Sequence, residues 1–226
     1  MTKAVGGSNA TTELAKLTSA RASAVAIGLD EYHQRLQKLR ALMQATSIEA
    51  LYLDATTSLR YFTGLQCYPS ERLHGAIVSA SGELLYVCPA FEAQKTRASM
   101  IVEGDLVLWE EHEDPTVAVA ETALKCAPQA HCSLAIDPQT PFFTANRLQR
   151  YDSSLSISNG EELIAACRRI KSAAEIALLS QAKAITLGVH RAAARILREG
   201  IDTREVQAFL DDAHIACGMD GRSTFK

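Results

Sequence analysis

Short apolar segments of two kinds alternate along residues 50–159, and this alternation limits the possible folds more than any other feature of the sequence. Runs typical of strands, beginning with Ala50-Leu51-Tyr52-Leu53, are separated by helical patterns such as residues 115–126. Two of the predicted strands flank Ser81-Gly82, a tight turn that makes them antiparallel. The sequence therefore predicts an α/β fold, a mixed sheet covered by helices.

The elements of this alternation are predicted from caps, turns and periodicity. The predicted helices cover Asp30 to about Thr46, Thr56 to Gly64, Pro89 to Arg97, 115–126, 141–149 and a short stretch beginning near Asn159. The predicted strands cover 50–54, Gly75 to Ser79, Leu84 to Cys88, Leu106 to Trp109, 133–136 and 154–157.

A long helix with a marked start follows this region. Ser172 and Glu175 have the spacing of a capping box, in which each side chain bonds the other's backbone N–H. The following apolar residues recur in steps of three and four: Leu178, Ala182, Ile185, Val189, Ala192 and Ile196. A second capped helix is predicted from Asp202, and glycines at 200 and 218 suit helix ends.

Composition shifts divide the chain into three parts. Residues 1–24 are rich in Gly, Ser, Thr and Ala, and we expect them to be disordered or left over from cloning. Residues 25–160 should form the α/β domain, with a boundary between about 158 and 172. Residues 161–226 should be a linker and two helices.

Charge and hydropathy argue against two classes of partner. The net charge is −3 and no basic run occurs, so nucleic-acid binding is not expected. No apolar run approaches the roughly 20 residues of a membrane span, and no signal peptide is visible, so we expect a cytoplasmic protein without membrane contact. The cysteines lack metal or disulfide spacing; Cys88, Cys126, Cys132 and Cys167 are interpreted as buried small apolar residues.

The sequence RRIKSAAEIALLSQAKAIT, with Arg60-Tyr61-Phe62-Thr63-Gly64-Leu65 upstream, resembles the creatinase, prolidase (Xaa-Pro dipeptidase) and aminopeptidase P family of the pita-bread metallopeptidase superfamily. The resemblance covers nearly all of residues 30–226. It implies a creatinase-type N-terminal domain followed by the first two helices of a catalytic domain. Because those helices would cover a sheet that is missing here, the resemblance also implies that their apolar stripes are exposed.

The resemblance also implies an activity: hydrolysis of the bond before proline in a dipeptide or short peptide by two divalent metal ions, Mn or Co. The family's two Asp, one His and two Glu ligands cannot be placed on any residue here, so no catalytic residue and no metal ligand is assigned, and this chain alone is expected to be inactive. The best local acidic cluster is Asp211, Asp212 and His214, which is interpreted as a solvated helix face.

Substrate contact is predicted for the loop at residues 66–74. In dimeric relatives this loop leans over the neighbouring subunit's active site, so the resemblance implies a homodimer formed through the N-terminal domain. Arg72 could donate two parallel hydrogen bonds to a substrate carboxylate, and Tyr68 could pack on a proline ring. Arg72 could instead pair with Glu71.

Two alternatives remain open at this point. One is a non-catalytic binding module of the same fold, which seven acidic residues and no Lys or Arg between Glu103 and Glu121 would suit by docking a basic partner. The other is a creatinase-like amidinohydrolase. Cys67 as a nucleophile is a weaker idea, because no base is evident beside it.

Overall fold

The structure is a computed structural model that describes residues 5–127 and 131–220. The chain forms two compact units. The larger unit is Gly28–Ile170, and the smaller unit is formed by the residues before and after it. The chain thus leaves the smaller unit once and returns to it once.

The α-helices of the described residues are, in chain order, α1 Ala10–Leu14, α2 Leu29–Ala45, α3 Thr57–Thr63, α4 Ala93–Ser99, α5 Pro115–Cys126, α6 Phe142–Tyr151, α7 Glu161–Arg168, α8 Ala173–Ile196 and α9 Thr203–Ala216. The strands are β1 Ala50–Asp54, β2 Gly75–Ser79, β3 Leu84–Pro89, β4 Asp105–Trp109, β5 Cys132–Ile136 and β6 Leu155–Asn159. Every predicted strand is present, with ends shifted by at most two residues.

The strands of the larger unit form one mixed sheet in the order β4-β3-β2-β1-β5-β6. β2 is antiparallel to β1 and β3, as the predicted hairpin requires, whereas the β3–β4, β1–β5 and β5–β6 pairs are parallel. All strands except β2 therefore end at the same edge of the sheet. The prediction of a mixed sheet covered by helices is confirmed.

Each face of the sheet is covered by its own helices. Tyr52, Ile77 and Trp109 pack in one cluster with Val119 and Ala120 of α5. Side chains alternate between the faces of a strand, so the fully buried Leu51 and Leu53 of β1 lie on the opposite face, the face of α2 and α3. Each fully buried leucine stabilises the fold by roughly 1.5–3 kcal/mol.

Two loop conformations set the route from β1 to β2. Thr56 caps α3 by accepting from the N–H of Ser58 at 3.1 Å, and Gly64 ends the helix at φ 74°. Only glycine adopts that φ at little cost, and the Thr63-Gly64 step therefore turns the chain into the loop at residues 65–74.

The smaller unit has a core of its own. Val189 and Ile196 of α8 pack with Phe209 and Ala213 of α9, and Leu14 and Leu17 of the N-terminal segment cover this cluster. The backbone N–H groups of residues 5, 6 and 8 donate to carbonyls of residues 195 and 197. The expected capping box of Ser172 and Glu175 is present at the start of α8.

The larger unit extends through α7 to Ile170, inside the range of about 158–172 expected for the boundary. Two expectations about the chain ends need correction. The described part of residues 1–24 is ordered: it contains α1, and it packs on α8 and α9. The predicted apolar stripe of α8 is buried from Val189 onward, and the exposed residues are instead Ile176, Leu179 and Leu187. The physical reason is that the N-terminal segment covers the stripe.

One predicted helix is divided. Residues Ala90–Glu92 form a 3-10 turn, and α4 begins only at Ala93. Pro89 remains the last residue of β3 and pairs with Trp109 in register. A separate observation concerns membranes: among the helices of the described residues, none has the length and apolar character needed to cross a bilayer.

Candidate functional site

The predicted substrate-contact loop lies between α3 and β2 and separates two cavities of the larger unit. Arg72 lines both cavities, and Tyr68 lines only the second of them. Tyr68 is 74% exposed, and its hydroxyl is hydrogen-bonded to Gln66. The structure thus places the two predicted residues on one loop and around one shared cavity.

The Arg72 guanidinium is held by carboxylates of its own unit. Its Nε lies 2.8 Å from Oε1 of Glu111 and its Nη1 lies 2.6 Å from Oε1 of Glu71. The hydrogen bond and the charge of Glu111 raise the pKa of Arg72. The pairing with Glu71 was one of the two alternatives weighed from the sequence, and Glu111 is a second partner that sequence spacing could not indicate.

The second cavity, about 320 Å³, brings Cys67 and His74 together with Glu92 and Thr96. His74 Nε2 lies 3.2 Å from the Thr96 hydroxyl, and burial lowers the pKa of the imidazole. Burial raises the pKa of the Cys67 thiol to about 11. Because a thiolate is the reactive form, this environment disfavours Cys67 as a nucleophile at neutral pH.

The first cavity is a cleft of about 370 Å³ that sequence analysis missed. We call it the β1 cleft, because Asp54, the last residue of β1, lies in its wall. Its other wall residues include Trp109, Thr116, Phe143 and Arg147. These positions span 93 residues of sequence, and only the strand order brings them together. An acidic residue at the end of a buried strand is the one local signal for this cleft in the sequence.

Asp54 has an unusual electrostatic environment. Burial, with a smaller contribution from the nearby Asp137 carboxylate, raises the pKa of Asp54 to about 6. Its Oδ1 accepts from the N–H of Ala55 at 2.7 Å. Asp137 is better satisfied, because it accepts from the Thr56 hydroxyl at 2.6 Å and the Gln139 N–H at 2.9 Å. Asp54 can therefore exchange a proton near neutral pH.

The possible metal cluster near the C-terminus is not assembled. His214 is buried at 6% exposure and its Nδ1 lies 2.7 Å from the carbonyl of Leu210, so its expected place on a solvated helix face is wrong. Asp211 accepts a hydrogen bond from Gln207. Throughout residues 5–127 and 131–220, no three His, Cys, Asp or Glu side chains are grouped so that they could hold a metal ion.

Cysteine burial follows the sequence prediction. Cys88, Cys126, Cys132 and Cys167 are buried free thiols. Burial raises the pKa of each of the four thiols, most strongly that of Cys132, to about 12. They therefore behave as small apolar core residues.

Relatives of known name match most of this chain. An Xaa-Pro dipeptidase of Lactobacillus delbrueckii is 26% identical over 174 residues, which cover 76% of this chain and 46% of that protein. YkvY of Bacillus subtilis, which is named as a dipeptidase, is 28% identical over 191 residues, which cover 84% of this chain and 52% of that protein. The chain thus spans about half the length of these relatives.

Solved structures share the fold. The dipeptidase PepE of Mycobacterium ulcerans superposes with a TM-score of 0.74 at 22% identity, covering 85% of this chain and 51% of that one. A prolidase of Thermococcus sibiricus gives a TM-score of 0.69 at 22% identity, covering 81% and 49%. The profile of the Creatinase/Prolidase N-terminal domain family matches residues 35–170, which is most of the larger unit. The chain belongs to the Creatinase/Prolidase N-terminal domain family.

Proposed function

We propose that this chain is the N-terminal part of a proline-specific peptidase, an Xaa-Pro dipeptidase or Xaa-Pro aminopeptidase that hydrolyses the bond before proline. The observation that carries the proposal is the family match over residues 35–170 together with a relative named Xaa-Pro dipeptidase that aligns over 76% of the chain. The expected substrate is a proline-containing dipeptide or short peptide.

The metal centre of this proposal would use residues outside the present sequence. The described residues do not fit a dinuclear site, since they contain no grouping of three potential ligands. The relatives extend over about twice the length that aligns here, and the carboxylate and imidazole ligands are proposed to lie in that remaining half. The two metal ions proposed for that half are Mn or Co.

The activity is tested on the product of the complete reading frame. Ala-Pro hydrolysis is measured with added Mn²⁺ and again after a chelator, with Ala-Ala as the matched peptide lacking proline. Hydrolysis of Ala-Pro that the chelator abolishes supports the proposal. Turnover that the chelator leaves unchanged, or no turnover of either Ala-Pro or the tripeptide Ala-Pro-Ala, would contradict it and favour an amidinohydrolase or a binding module.

For Arg72 and Tyr68 we propose substrate contact across a homodimer. The Arg72 side chain is 42% exposed and therefore accessible. A substrate carboxylate would have to compete with Glu71 and Glu111 for the N–H donors of its guanidinium. Tyr68 exposes a ring that could cover a proline. Both residues would act on a bound peptide in the partner's site.

The matched variants are Arg72→Ala, Tyr68→Ala and, as a control, Arg150→Ala on the exposed end of α6. We expect Arg72→Ala to raise KM for Ala-Pro about tenfold with a smaller change in kcat, because the lost contact is to the bound substrate. Light scattering of the same samples tests for the dimer. A monomer with full activity would exclude the proposed role.

A further inference from the structure

The β1 cleft lies where an α/β sheet commonly binds small molecules. β1 connects onward to β2 on one side, whereas its parallel neighbour on the other side, β5, connects to β6. In open α/β sheets, ligands bind outside the carboxyl ends of the strands at the point where the connections diverge in this way. Asp54 occupies that position at the end of β1.

The walls of the β1 cleft are suited to a ligand with a short apolar chain. Leu73, Trp109 and Phe143 line it, together with Pro115 and Pro141. Its volume, about 370 Å³, is at the small end of the range found for ligand pockets. A ligand of a few carbon atoms therefore fits this volume.

The charges around the β1 cleft leave two carboxylates without a basic partner among the described residues. Arg72 is neutralised by Glu71 and Glu111, and Arg147 lies 3.4 Å from Asp114. Asp54 and Glu113 also line the cleft, and within residues 5–127 and 131–220 neither forms an ion pair. The unbalanced charge of the cleft is therefore negative.

We propose that the β1 cleft is a binding site for a small primary ammonium group on a short apolar chain, with Asp54 as its counter-ion. An ammonium has three donors, and a carboxylate accepts hydrogen bonds through both of its oxygens. The proposal does not depend on peptidase activity.

Binding should depend on pH through Asp54. The charged or titratable groups around its carboxyl are Asp137 behind it, Tyr52 on the same strand, and Arg72, Glu113 and Arg147 in the cleft walls. Since the pKa of Asp54 is about 6, the carboxylate is mostly ionised near pH 7.5 and mostly protonated near pH 5. We expect the affinity for an ammonium to be about tenfold weaker near pH 5.

The test uses the single tryptophan of the chain, Trp109, as a reporter inside the cleft. Its emission is titrated with n-butylammonium chloride and, as the uncharged match of equal chain length, with 1-butanol. Backbone amide NMR shifts around Asp54 and Thr116 provide a second readout. The variants are Asp54→Asn and, as a control for the loss of one carboxylate, Glu121→Gln on α5, which does not line the cleft.

The expected result is saturable binding of butylammonium to the wild type and to Glu121→Gln, with at least tenfold weaker and pH-independent binding to Asp54→Asn. Circular dichroism confirms that both variants are folded. Equal responses to butylammonium and butanol, unchanged affinity in Asp54→Asn, or no saturable response by either readout at millimolar concentration would overturn the proposal. All of these outcomes are independent of Ala-Pro hydrolysis.

Discussion

Asp54 is expected to destabilise the folded chain at neutral pH, because its charged form is buried. Burial raises its folded-state pKa from 3.8 to about 6, so the folded state binds the proton more tightly than the unfolded state does. The protonated form of Asp54 contributes its full stability to the fold below about pH 4. This contribution is lost as the pH rises through about 6 and the carboxyl ionises. We expect Asp54→Asn to raise the free energy of unfolding by about 1–2 kcal/mol near pH 7.5.

The measurement is urea denaturation of both proteins at several pH values. The difference between them should shrink toward zero near pH 4, and Glu121→Gln, which removes an exposed carboxylate, should show no such trend. A destabilised Asp54→Asn at neutral pH would mean that the ionised carboxylate is favoured in the fold, contrary to its burial.

Residue roles were predictable only where the neighbours in sequence decide them. The four core cysteines were predicted correctly because each lies in an apolar run. The second partner of Arg72, Glu111, is 39 residues away, and no local pattern indicates it. The sequence shows Asp54 only as the end of a strand. Its role could not be predicted, because its environment is made by Asp137 and the cleft walls.

At the scale of elements, the capping box of α8 offers a direct test. The Ser172 hydroxyl accepts from the N–H of Glu175 at 3.1 Å, and a Glu175 carboxylate oxygen accepts from the N–H of Ser172 at 3.0 Å. Ser172→Ala removes the first of these bonds and leaves an N–H of the first turn without its acceptor. We expect a loss of about 1 kcal/mol in the free energy of unfolding.

Ser180→Ala is the control for this substitution, because Ser180 is an exposed residue inside α8. Alanine has the higher helix propensity there, so the control should be neutral or slightly stabilising. Both variants are compared by thermal and urea unfolding followed by circular dichroism. Equal stability of Ser172→Ala and wild type would show that the cap adds nothing measurable.

Element boundaries could be predicted well where a cap or turn residue marks them. Helices begin directly after Asp114, Ser172 and Asp202. Each of these side chains accepts a hydrogen bond from a backbone N–H in the first turn of its helix. The helix predicted from Pro89 began late, because Pro89 stays paired in β3 and the next three residues form a 3-10 turn. Sheet pairing, a non-local interaction, prevailed there over the local preference of proline for a helix start.

At the scale of the whole molecule, the N-terminal segment is expected to stabilise the smaller unit. Leu14 and Leu17 cover the α8–α9 core, and the buried Glu13 pairs with Lys16. Leu17→Asp would place a charge against that core. We expect amide hydrogen exchange to become about tenfold faster or more in residues 189–213, while strands of the larger unit stay protected.

Thr18→Asp adds the same charge at an exposed neighbouring position and serves as the matched control. Its exchange pattern should equal that of the wild type. Unchanged protection of residues 189–213 in Leu17→Asp would show that the N-terminal contact contributes no stability.

The sheet of the larger unit was predictable from the sequence because strand and helix periodicities are local. The role of the N-terminal segment was not, because its composition resembles that of a disordered tail and its partner lies more than 160 residues further along the chain. The hydrogen bond from Gln181 Nε2 to the carbonyl of Ala20, at 2.8 Å, is an example of a contact that only the folded chain reveals.

The interleaved order of the two units has a consequence for limited proteolysis. The segment before α2, which includes the exposed Val25, is the only covalent link from the N-terminal piece to the rest of the protein. A single cut there would turn an intramolecular association into an ordinary bimolecular complex, whose occupancy falls on dilution. Nicked protein should then shed its N-terminal piece during gel filtration, and α8 and α9 should lose protection only after that piece has left.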